Sequence, residues 1–371
     1  MLKGREIEPI ALKTPYQKWA EAQGVPIIRD FYIEDLKTVP LQPWEWRGGN
    51  GAIINLIGTG EINEAYLSEI PPGGTLKPLR MMYEETIFVV EGNGSTSIWN
   101  EEKKKVTFEW GPGAIFAPPL NTWRQHFNAS GTKPARLLAV TSAPPVMSMF
   151  RDMNFIFNNY YTFNDRFDAE AESFSGAGVA YERRGRQVWD TNVVSDVRKL
   201  ELFASKKRGA GGSNIQIELG ENAMAVHISE FPVGTYKKAH RHGPGAHVVI
   251  IGGEGYSLMW PEGEEPKRFD WRDGTIIVPP ERWFHQHFNT GSKPARYLAI
   301  RSGGSKFGRP WGKDTNMSQE KSIKEGGDQI EYEDEDPKIR QMFEEALKKS
   351  GAKSGMDAVI AKERAKAEAA E

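Results

Sequence analysis

The sequence contains an internal duplication. Segments 68–128 and 229–289 align without a gap at an offset of 161 residues, and 20 of these 61 positions are identical. The run Gln125-His126-Phe127-Asn128 returns as 286–289, and Lys133-Pro134-Ala135-Arg136 returns as 293–296 after a deletion of one residue. This identity is far above chance, so the chain of 371 residues consists of two copies of one fold.

Each copy is predicted to be all-β. Thr86–Val90 and Ala114–Ala117 in the first copy, with Val248–Ile251 and Thr275–Val278 in the second, are short and rich in apolar and β-branched residues. Gly, Pro or Asn residues bound these segments, and no helical periodicity separates them. Closely spaced strands of this kind predict an antiparallel sandwich or barrel.

Five regions follow from the repeat and from changes in composition. They are an N-terminal arm (1–29), a first barrel (30–145), an aromatic-rich connector (146–189), a second barrel (190–305) and a C-terminal extension (306–371). Within the extension, Asp336-Pro337 precedes apolar residues at helical spacing, and Gly351 follows them. This pattern predicts a helix over about residues 337–350.

Composition excludes several classes of partner and cofactor. The chain has 48 Lys and Arg against 50 Asp and Glu, a formal net charge of −2, so no basic surplus favours binding to nucleic acid or to an anionic membrane. No apolar run approaches the ~20 residues of a membrane span, and a cytoplasmic location is expected. Because cysteine is absent, a transition metal would have to be bound through imidazole and carboxylate.

Five of the seven histidines lie within 48 residues of sequence. His240 and His242 are two residues apart, so on a strand both side chains project to one face while Arg241 projects to the other. A neighbouring strand that carries His285 would complete a site of three imidazoles on one side of a metal. Such a site leaves open positions for water, dioxygen or a chelating substrate.

The first copy serves as an internal control for these ligands. At the positions of the three histidines it has Leu79, Met81 and Arg124. The first barrel is therefore expected to bind no metal. His287 has a counterpart in His126, where no metal site is predicted, so both are interpreted as structural, and His227 is interpreted as a core residue.

Three polar residues of the first copy fall at the mouth of its predicted barrel. They are Tyr83, Glu85 and Arg124. An arginine in this group could hold an anion, or it could pair with the glutamate and fill the space of a missing metal. The sequence leaves both readings open.

The spacing of the histidines resembles that of a known family. The pattern Gly234-x5-His240-x-His242, followed by Gly274-x5-Pro280-x4-His285-x3-Asn289, is similar to the two-part signature of the cupin superfamily. Arg282 stands where many members have glycine. The resemblance covers both copies over about residues 35–305. It implies a bicupin, with two tandem antiparallel jelly-roll barrels and one divalent metal in the second.

The resemblance leaves a fourth metal ligand open. Cupins commonly place a glutamate three or four residues after the second histidine, where this chain has Ala246 and His247. Strand alternation turns Ala246 inward and His247 outward. A bulge at Gly243-Pro244-Gly245 would turn His247 inward instead, so His247 is retained as a candidate ligand.

A site of three histidines without that glutamate resembles the gentisate dioxygenase-like bicupins, Fe(II) enzymes that cleave aromatic rings. The resemblance implies a mononuclear non-haem dioxygenase acting on a small oxygenated substrate, aromatic compounds included. Fe(II) is the favoured metal, with Mn, Ni or Zn as alternatives. Trp283, which is specific to the second copy, is a candidate for the substrate pocket.

Two other functions stay open at this stage. One is a non-redox isomerase, lyase or hydrolase, and the other is a bicupin that binds a metabolite without turnover. No catalytic acid or base can be named from the sequence. The expected partner is a small molecule, and association into a homo-oligomer is left open.

Overall fold

A computed structural model describes residues 13–102, 105–167, 173–183, 185–204, 209, 211–243, 245–304, 306–308, 318 and 320–368. The first twelve residues of the predicted N-terminal arm, Pro244 of the possible bulge and parts of the connector and the C-terminal extension lie outside these ranges. The described part of the chain forms two β-barrels, an N-terminal helix, two helices after the first barrel and a helical extension after the second.

The first barrel is built from two sheets. One strand from this half of the chain, β2, pairs in the second barrel. The strands of this half are β1 Ile27–Ile28, β2 Tyr32–Ile33, β3 Gln42–Trp44, β4 Gly49–Ile54, β5 Glu64–Ile70, β6 Glu85–Glu91, β7 Gly94–Trp99, β8 Lys105–Trp110, β9 Ile115–Phe116, β10 Trp123–Asn128 and β11 Ala135–Thr141. The larger sheet has the order β1-β4-β5-β11-β6-β9, with β3 paired to β4, and the smaller sheet has the order β10-β7-β8. All of these pairs are antiparallel except β1–β4.

The second barrel repeats this arrangement. The strands of this half are β12 Gly178–Arg183, β13 Arg186–Thr191, β14 Val193–Val194, β15 Phe203–Ala204, β16 Ser213–Leu219, β17 Met224–Phe231, β18 His247–Gly252, β19 Glu254–Trp260, β20 Lys267–Arg272, β21 Ile276–Ile277, β22 Phe284–Asn289 and β23 Ala295–Ser302. The larger sheet has the order β12-β13-β16-β17-β23-β18-β21, with β15 paired to β16, and the smaller has the order β20-β19-β22. The predicted all-β fold with a helical extension is confirmed.

The barrels exchange one short strand each. Ile33 of β2 pairs with Ile276 in the second barrel, and Val194 of β14 pairs with Ile115 in the first. The two pairs are related by the same offset of 161 residues as the sequence repeat. Apolar side chains from the larger sheets of both barrels meet in one continuous core, which includes Leu67, Leu138, Ile217 and Leu298. The barrels are therefore bound to each other by backbone hydrogen bonds and by a common core.

Helices lie outside the barrels. They are α1 Pro15–Ala22, α2 Ala143–Phe150, α3 Met153–Phe157, a 3-10 turn at Ile323–Glu325, α4 Pro337–Ser350 and α5 Met356–Glu368. The side chain of Asp336 caps α4 and Gly351 ends it in the left-handed conformation, at the bounds expected from the sequence. Phe343 of α4 packs on Tyr236 of the second barrel, with ring centroids 4.9 Å apart. Within the described residues, no helix has both the length and the apolar composition of a membrane span.

Two repeated glycines allow a close approach of strands in the smaller sheets. A Cβ atom on Gly255 would lie 1.9 Å from the carbonyl oxygen of Phe288, and one on Gly94 would lie 2.1 Å from that of Phe127. Backbone oxygens held in a sheet cannot move away cheaply. Glycine is therefore required at this position in both barrels.

We expect Gly255→Ala to lower the free energy of unfolding by about 2–3 kcal/mol, because the added methyl group forces the paired strands apart. Gly131→Ala is the matched control, since a methyl group on Gly131 would have no neighbouring atom within 4 Å. We expect that control to change stability by about 0.5 kcal/mol or less. Urea unfolding monitored by tryptophan fluorescence measures both variants, and equal losses would contradict the steric explanation.

Candidate metal centre

Three histidines meet at the mouth of the second barrel. His240 and His285 face each other across an antiparallel bridge, with the His285 amide donating to the His240 carbonyl at 2.9 Å. His242 lies two residues further along the same segment. The ring centroids are 4.3 Å apart for His240 and His285, and 4.8 Å apart for His242 and His285. One potential ligand nitrogen from each ring lies within 4.8 Å of the others.

The backbone orients all three rings. Each Nδ1 lies within hydrogen-bond distance of a backbone carbonyl, and the distances are 3.2 Å for His240 to Lys238, 3.0 Å for His242 to Gly243 and 3.3 Å for His285 to Trp283. Because a carbonyl oxygen only accepts, Nδ1 carries the proton and the lone pair is on Nε2. Metal-binding histidines commonly donate such a hydrogen bond from the ring nitrogen that does not bind the metal.

The geometry of this donor set fits one divalent metal. Three nitrogens bonded on one side of a metal at about 2.1 Å lie about 3.0–3.4 Å from one another. The nitrogens here lie within 4.8 Å of one another, so the rings would have to turn towards the ion on binding. Three neutral imidazoles suit Fe, Mn, Ni and Zn.

A cavity opens beside the three histidines. Its volume is about 70 Å³. A water molecule requires about 10–15 Å³ of such volume, so the cavity holds about five waters or a small organic molecule. Besides the three histidines, its lining includes Ala246, His287, His227, Lys237, Tyr297 and Arg301.

Several of these lining residues were not predicted from the sequence, although the repeat contains a signal for them. Lys237, Tyr297, His227 and Arg301 occupy positions where the first copy has Leu76, Leu137, Tyr66 and Thr141. Two of the four replacements exchange a leucine for a polar side chain, and a third exchanges a threonine for an arginine. The inward positions at which the two copies differ therefore indicate this polar group as well as the three candidate ligands.

In the first barrel an ion pair occupies the place of the metal site. Arg124, at the position of His285, donates from Nε to Glu85 Oε2 at 2.9 Å, and both side chains are at most 2% exposed. Burial alone would raise the pKa of Glu85, but the guanidinium groups of Arg124 and Arg47 hold it below its ordinary value. Tyr66 also donates to this carboxylate. The arginine and the glutamate are thus paired with each other inside the barrel.

His247, the candidate fourth ligand, lies apart from the three histidines. Ala246 lines the cavity, and His247, the next residue, faces the first barrel, where its Nδ1 is 3.0 Å from the Asn63 side-chain nitrogen. The alternation of side chains along the strand explains this orientation. His247 is fully buried, and burial lowers its pKa to about 3. It is therefore a neutral contact between the barrels and is not among the grouped potential ligands.

Trp283, the candidate for the substrate pocket, does not line the cavity. Its ring packs against Phe31 at 5.6 Å, and Lys267 lies over the ring. The preceding residue, Arg282, has a φ of 63°, and its counterpart Asn121 has a φ of 58°. This left-handed turn sets the direction of the chain before β22, so the alternation that turns His285 and His287 inward does not extend to Trp283.

His126 and His287 make the same contacts in the two barrels. Trp271 donates to Ser257 Oγ at 3.0 Å, and this oxygen is 2.7 Å from Nδ1 of His287. In the first barrel Trp110, Thr96 and His126 repeat these contacts. The hydroxyl accepts from the indole and can donate to Nδ1, which leaves the proton of His287 on Nε2. His287 therefore combines a structural contact, as predicted, with a position on the cavity wall, which was not predicted.

A segment of the C-terminal extension supports the chain segment that carries His240 and His242. The Asp328 carbonyl accepts from the Arg241 amide at 2.9 Å, and the Ile330 amide donates to the Ala239 carbonyl at 2.8 Å. The Asp328 carboxylate accepts from Arg241 Nε and from Arg282 Nη2, both at 2.8 Å. Burial would raise the pKa of Asp328, but these guanidinium groups and the Ser318 hydroxyl hold it well below its usual range.

The two barrels repeat one jelly-roll architecture, and the second one carries the three histidines. The chain has a bicupin fold. Within this bicupin the metal site belongs to the second barrel, and the ion pair of Arg124 and Glu85 takes the equivalent place in the first.

Comparisons with known proteins give a likeness to solved structures. A deletion mutant of oxalate decarboxylase from Bacillus subtilis is 12% identical, with 74% of this chain and 78% of that chain covered and a TM-score of 0.48. A structure of the same enzyme determined in work on its Mn(II) centres is 14% identical, with the same coverage and TM-score. No family model matches the bicupin, and no curated protein sequence matches it.

Asp328→Asn is expected to weaken metal binding by about 10–100-fold, because an ion pair that orients the segment with His240 and His242 is lost. The matched control is Glu262→Gln, since Glu262 also binds Arg241, at 2.6 Å, but its side chain is 71% exposed. Titration of the metal-free protein with Zn(II) against a chelating dye measures both affinities. Equal affinity in the wild type and the Asp328 variant would contradict a positioning role.

His247 is expected to make the stability of the bicupin depend on pH. Its pKa is about 3 in the folded chain and about 6.5 when unfolded, so the neutral ring stabilises the fold above about pH 6.5 and this contribution is lost as the pH falls towards 3. Between about pH 7.5 and pH 5 the loss is about 2 kcal/mol for this group.

Urea unfolding of the metal-free protein at both pH values tests this expectation. The His247→Gln variant is expected to lose about 2 kcal/mol less than the wild type over that interval. His126→Gln is the parallel variant, because burial first, and then Arg47, lower the pKa of His126 to about 3 as well. If both variants retained the full pH dependence of the wild type, these histidines would not be its source.

Proposed function

We propose that this bicupin is a mononuclear non-haem Fe(II) dioxygenase that acts on a small oxygenated substrate. The observation that carries the proposal is the set of three histidines, grouped beside a polar cavity and each with Nδ1 oriented by the backbone. These three histidines would hold an iron ion, which would supply open positions for substrate oxygens and dioxygen.

The small side chain of Ala246 supports substrate binding at the metal. Ala246 lines the cavity in the region where cupins commonly have a glutamate ligand. Its methyl group contributes no donor atom, and so this side of the site is left to the substrate. Two oxygens of one substrate, such as neighbouring hydroxyl, keto or carboxylate groups, would suit adjacent positions.

His287 has a positioning role in this proposal. Its ring lies 5.9 Å from that of His285, and its Nδ1 is held by Ser257. The proton on Nε2 can then donate a hydrogen bond to a substrate oxygen.

Non-redox catalysis by Zn, Mn or Ni is the second candidate function. The observation that favours it is that, among the described residues, the cluster of potential ligands consists of histidines without a carboxylate. The three neutral imidazoles would hold the ion without reducing its double charge, and the ion would supply a Lewis acid for a carbonyl or for water. Three histidines are an established ligand set for catalytic zinc. An isomerase, lyase or hydrolase of this kind would not require dioxygen.

Oxygen consumption after anaerobic loading with Fe(II) tests the first function. We expect oxygen uptake with at least one member of a panel of hydroxybenzoates, catechols and diketones, with a product of increased mass. His240→Ala is expected to lose most of the bound iron and to lower the rate by at least about 100-fold, because a ligand is removed. Leu79→Ala, the same position in the first barrel, should leave both unchanged.

The outcome also separates the two candidates. Turnover of the panel that continues without dioxygen, and is supported by Zn or Mn, would contradict the dioxygenase and favour non-redox catalysis. Metal content should be determined by elemental analysis of the same samples. Metal binding that is equal in the wild type and the His240 variant would contradict both candidates.

A further inference from the structure

A second arginine lies inside the first barrel, besides the one that pairs with Glu85. Arg47 is 1% exposed, and its Nε donates to Ser68 Oγ at 3.3 Å. Its guanidinium group lies over the ring of Tyr66, 5.4 Å from the centroid. A hydroxyl group and an aromatic face stabilise a cation but carry no net charge. Nη1 of Arg47 is buried and has no hydrogen-bond partner among the residues that the structure describes.

The carboxylate of Glu85 does not balance both arginines. One of its oxygens accepts from Arg124 Nε at 2.9 Å, and the other accepts from Tyr66. Counted over the described residues, Glu85 is one carboxylate that faces two guanidinium groups, Arg124 and Arg47. One positive charge is therefore left in the interior. A buried charge without a counter-charge is strongly destabilising.

The other buried carboxyl group on the same strand does not supply the missing charge. Glu64 lies two residues before Tyr66 on β5, and the Thr59 hydroxyl donates to it at 2.6 Å. Burial raises the pKa of Glu64 to about 8, although the hydrogen bond from Thr59 opposes the rise. At neutral pH this group is therefore protonated and uncharged, and the charge of Arg47 remains.

His126 presents a second donor without an acceptor. The Thr96 hydroxyl accepts from the Trp110 indole at 2.9 Å, so it can donate to Nδ1 of His126, which is 2.8 Å away. The ring is neutral, because burial first, and then Arg47, lower the pKa of His126 to about 3. Its proton is therefore on Nε2. Within the described ranges of the chain, this Nε2 has no hydrogen-bond partner.

These donors surround one part of the barrel interior. The amides of residues 76 and 77 donate to the carbonyls of His126 and Arg47, at 3.0 Å and 2.7 Å, so these two residues flank one short segment. Tyr83, two residues before Glu85, has a buried hydroxyl that also lacks a partner among the described residues. Burial, followed by Glu85, raises the pKa of Tyr83, and Arg47 is among the cations that oppose this rise. Tyr83 and Arg47 are thus within electrostatic range of each other.

We propose that Arg47 Nη1, His126 Nε2 and the Tyr83 hydroxyl bind a small monovalent anion inside the first barrel. All three groups can donate a hydrogen bond, and Arg47 supplies the charge that the anion neutralises. A water molecule in the same place could accept hydrogen bonds but would leave the charge uncompensated. The site belongs to the barrel without metal ligands, so the inference goes beyond the proposed function and does not depend on it.

Bromide is the probe for this site, because its anomalous scattering identifies it in electron density. Crystals of the metal-free protein grown without halide are soaked in sodium bromide and measured at the bromine absorption edge. We expect an anomalous peak inside the first barrel, in contact with Nη1 of Arg47. Bromide peaks at the protein surface alone, with water in contact with Nη1, would overturn the proposal. This measurement requires no variant.

Urea unfolding measures the affinity in solution. Sodium fluoride is replaced stepwise by sodium bromide at constant ionic strength, and the smaller fluoride ion is expected to bind weakly because its loss of hydration costs more. An ion that binds only the folded state raises the unfolding midpoint, so we expect bromide to raise that of the wild type. Arg47→Met should lower the bromide affinity at least tenfold. Tyr83→Phe should lower it several-fold, and this smaller change decides the question if the Arg47 variant does not fold.

Another buried arginine of the first copy provides the matched control. Arg80 is 3% exposed, but it pairs with Glu101, whose side chain is 36% exposed. Arg80→Met is therefore expected to keep the bromide dependence of the wild type. Equal midpoint shifts in the wild type and in the Arg47 and Tyr83 variants would indicate a general salt effect and overturn the site. A wild-type midpoint that does not rise with bromide would also overturn it.

Discussion

Each half of the chain contributes one short strand to the opposite barrel, and the rest of the structure depends on this exchange. Ile33 pairs with Ile276 and Val194 pairs with Ile115, so each barrel is completed by the other half of the chain. The common core then buries the facing sides of the two larger sheets. Burial of apolar surface is the main source of stability in such an arrangement. The first barrel is therefore a structural part of the metal-binding unit.

The duplication separates what the fold requires from what the chemistry requires. In both barrels a tryptophan indole donates a hydrogen bond to a hydroxyl group that also contacts a histidine. Both barrels also have a glycine where two paired strands approach each other closely. The metal ligands, Lys237 and Tyr297 occur in the second barrel only. In the first barrel the buried pair of Arg124 and Glu85 satisfies its own charges, and removal of either partner would leave an uncompensated charge. The two interiors have thus diverged on a common framework.

The sequence predicted the barrels and the grouping of His240, His242 and His285, because strand alternation and the repeat are local and periodic properties. His247 stayed open, since its direction depends on the backbone of the preceding turn. Trp283 was selected because it is specific to the second copy, yet the left-handed turn at Arg282 sets its direction. Asp328 and the exchanged strands could not be found from the sequence, because these contacts join segments far apart in the chain and carry no periodic signal.

The support that Asp328 gives to Arg241 has a consequence for the order of events during synthesis. Asp328 leaves the ribosome after both barrels, whereas His240, His242 and His285 are already outside it. The nascent protein can therefore form the histidine cluster before the carboxylate that steadies it has emerged. Metal captured at that stage would exchange readily with its surroundings. Docking of the segment that carries Asp328 would then hold the histidine segment in place.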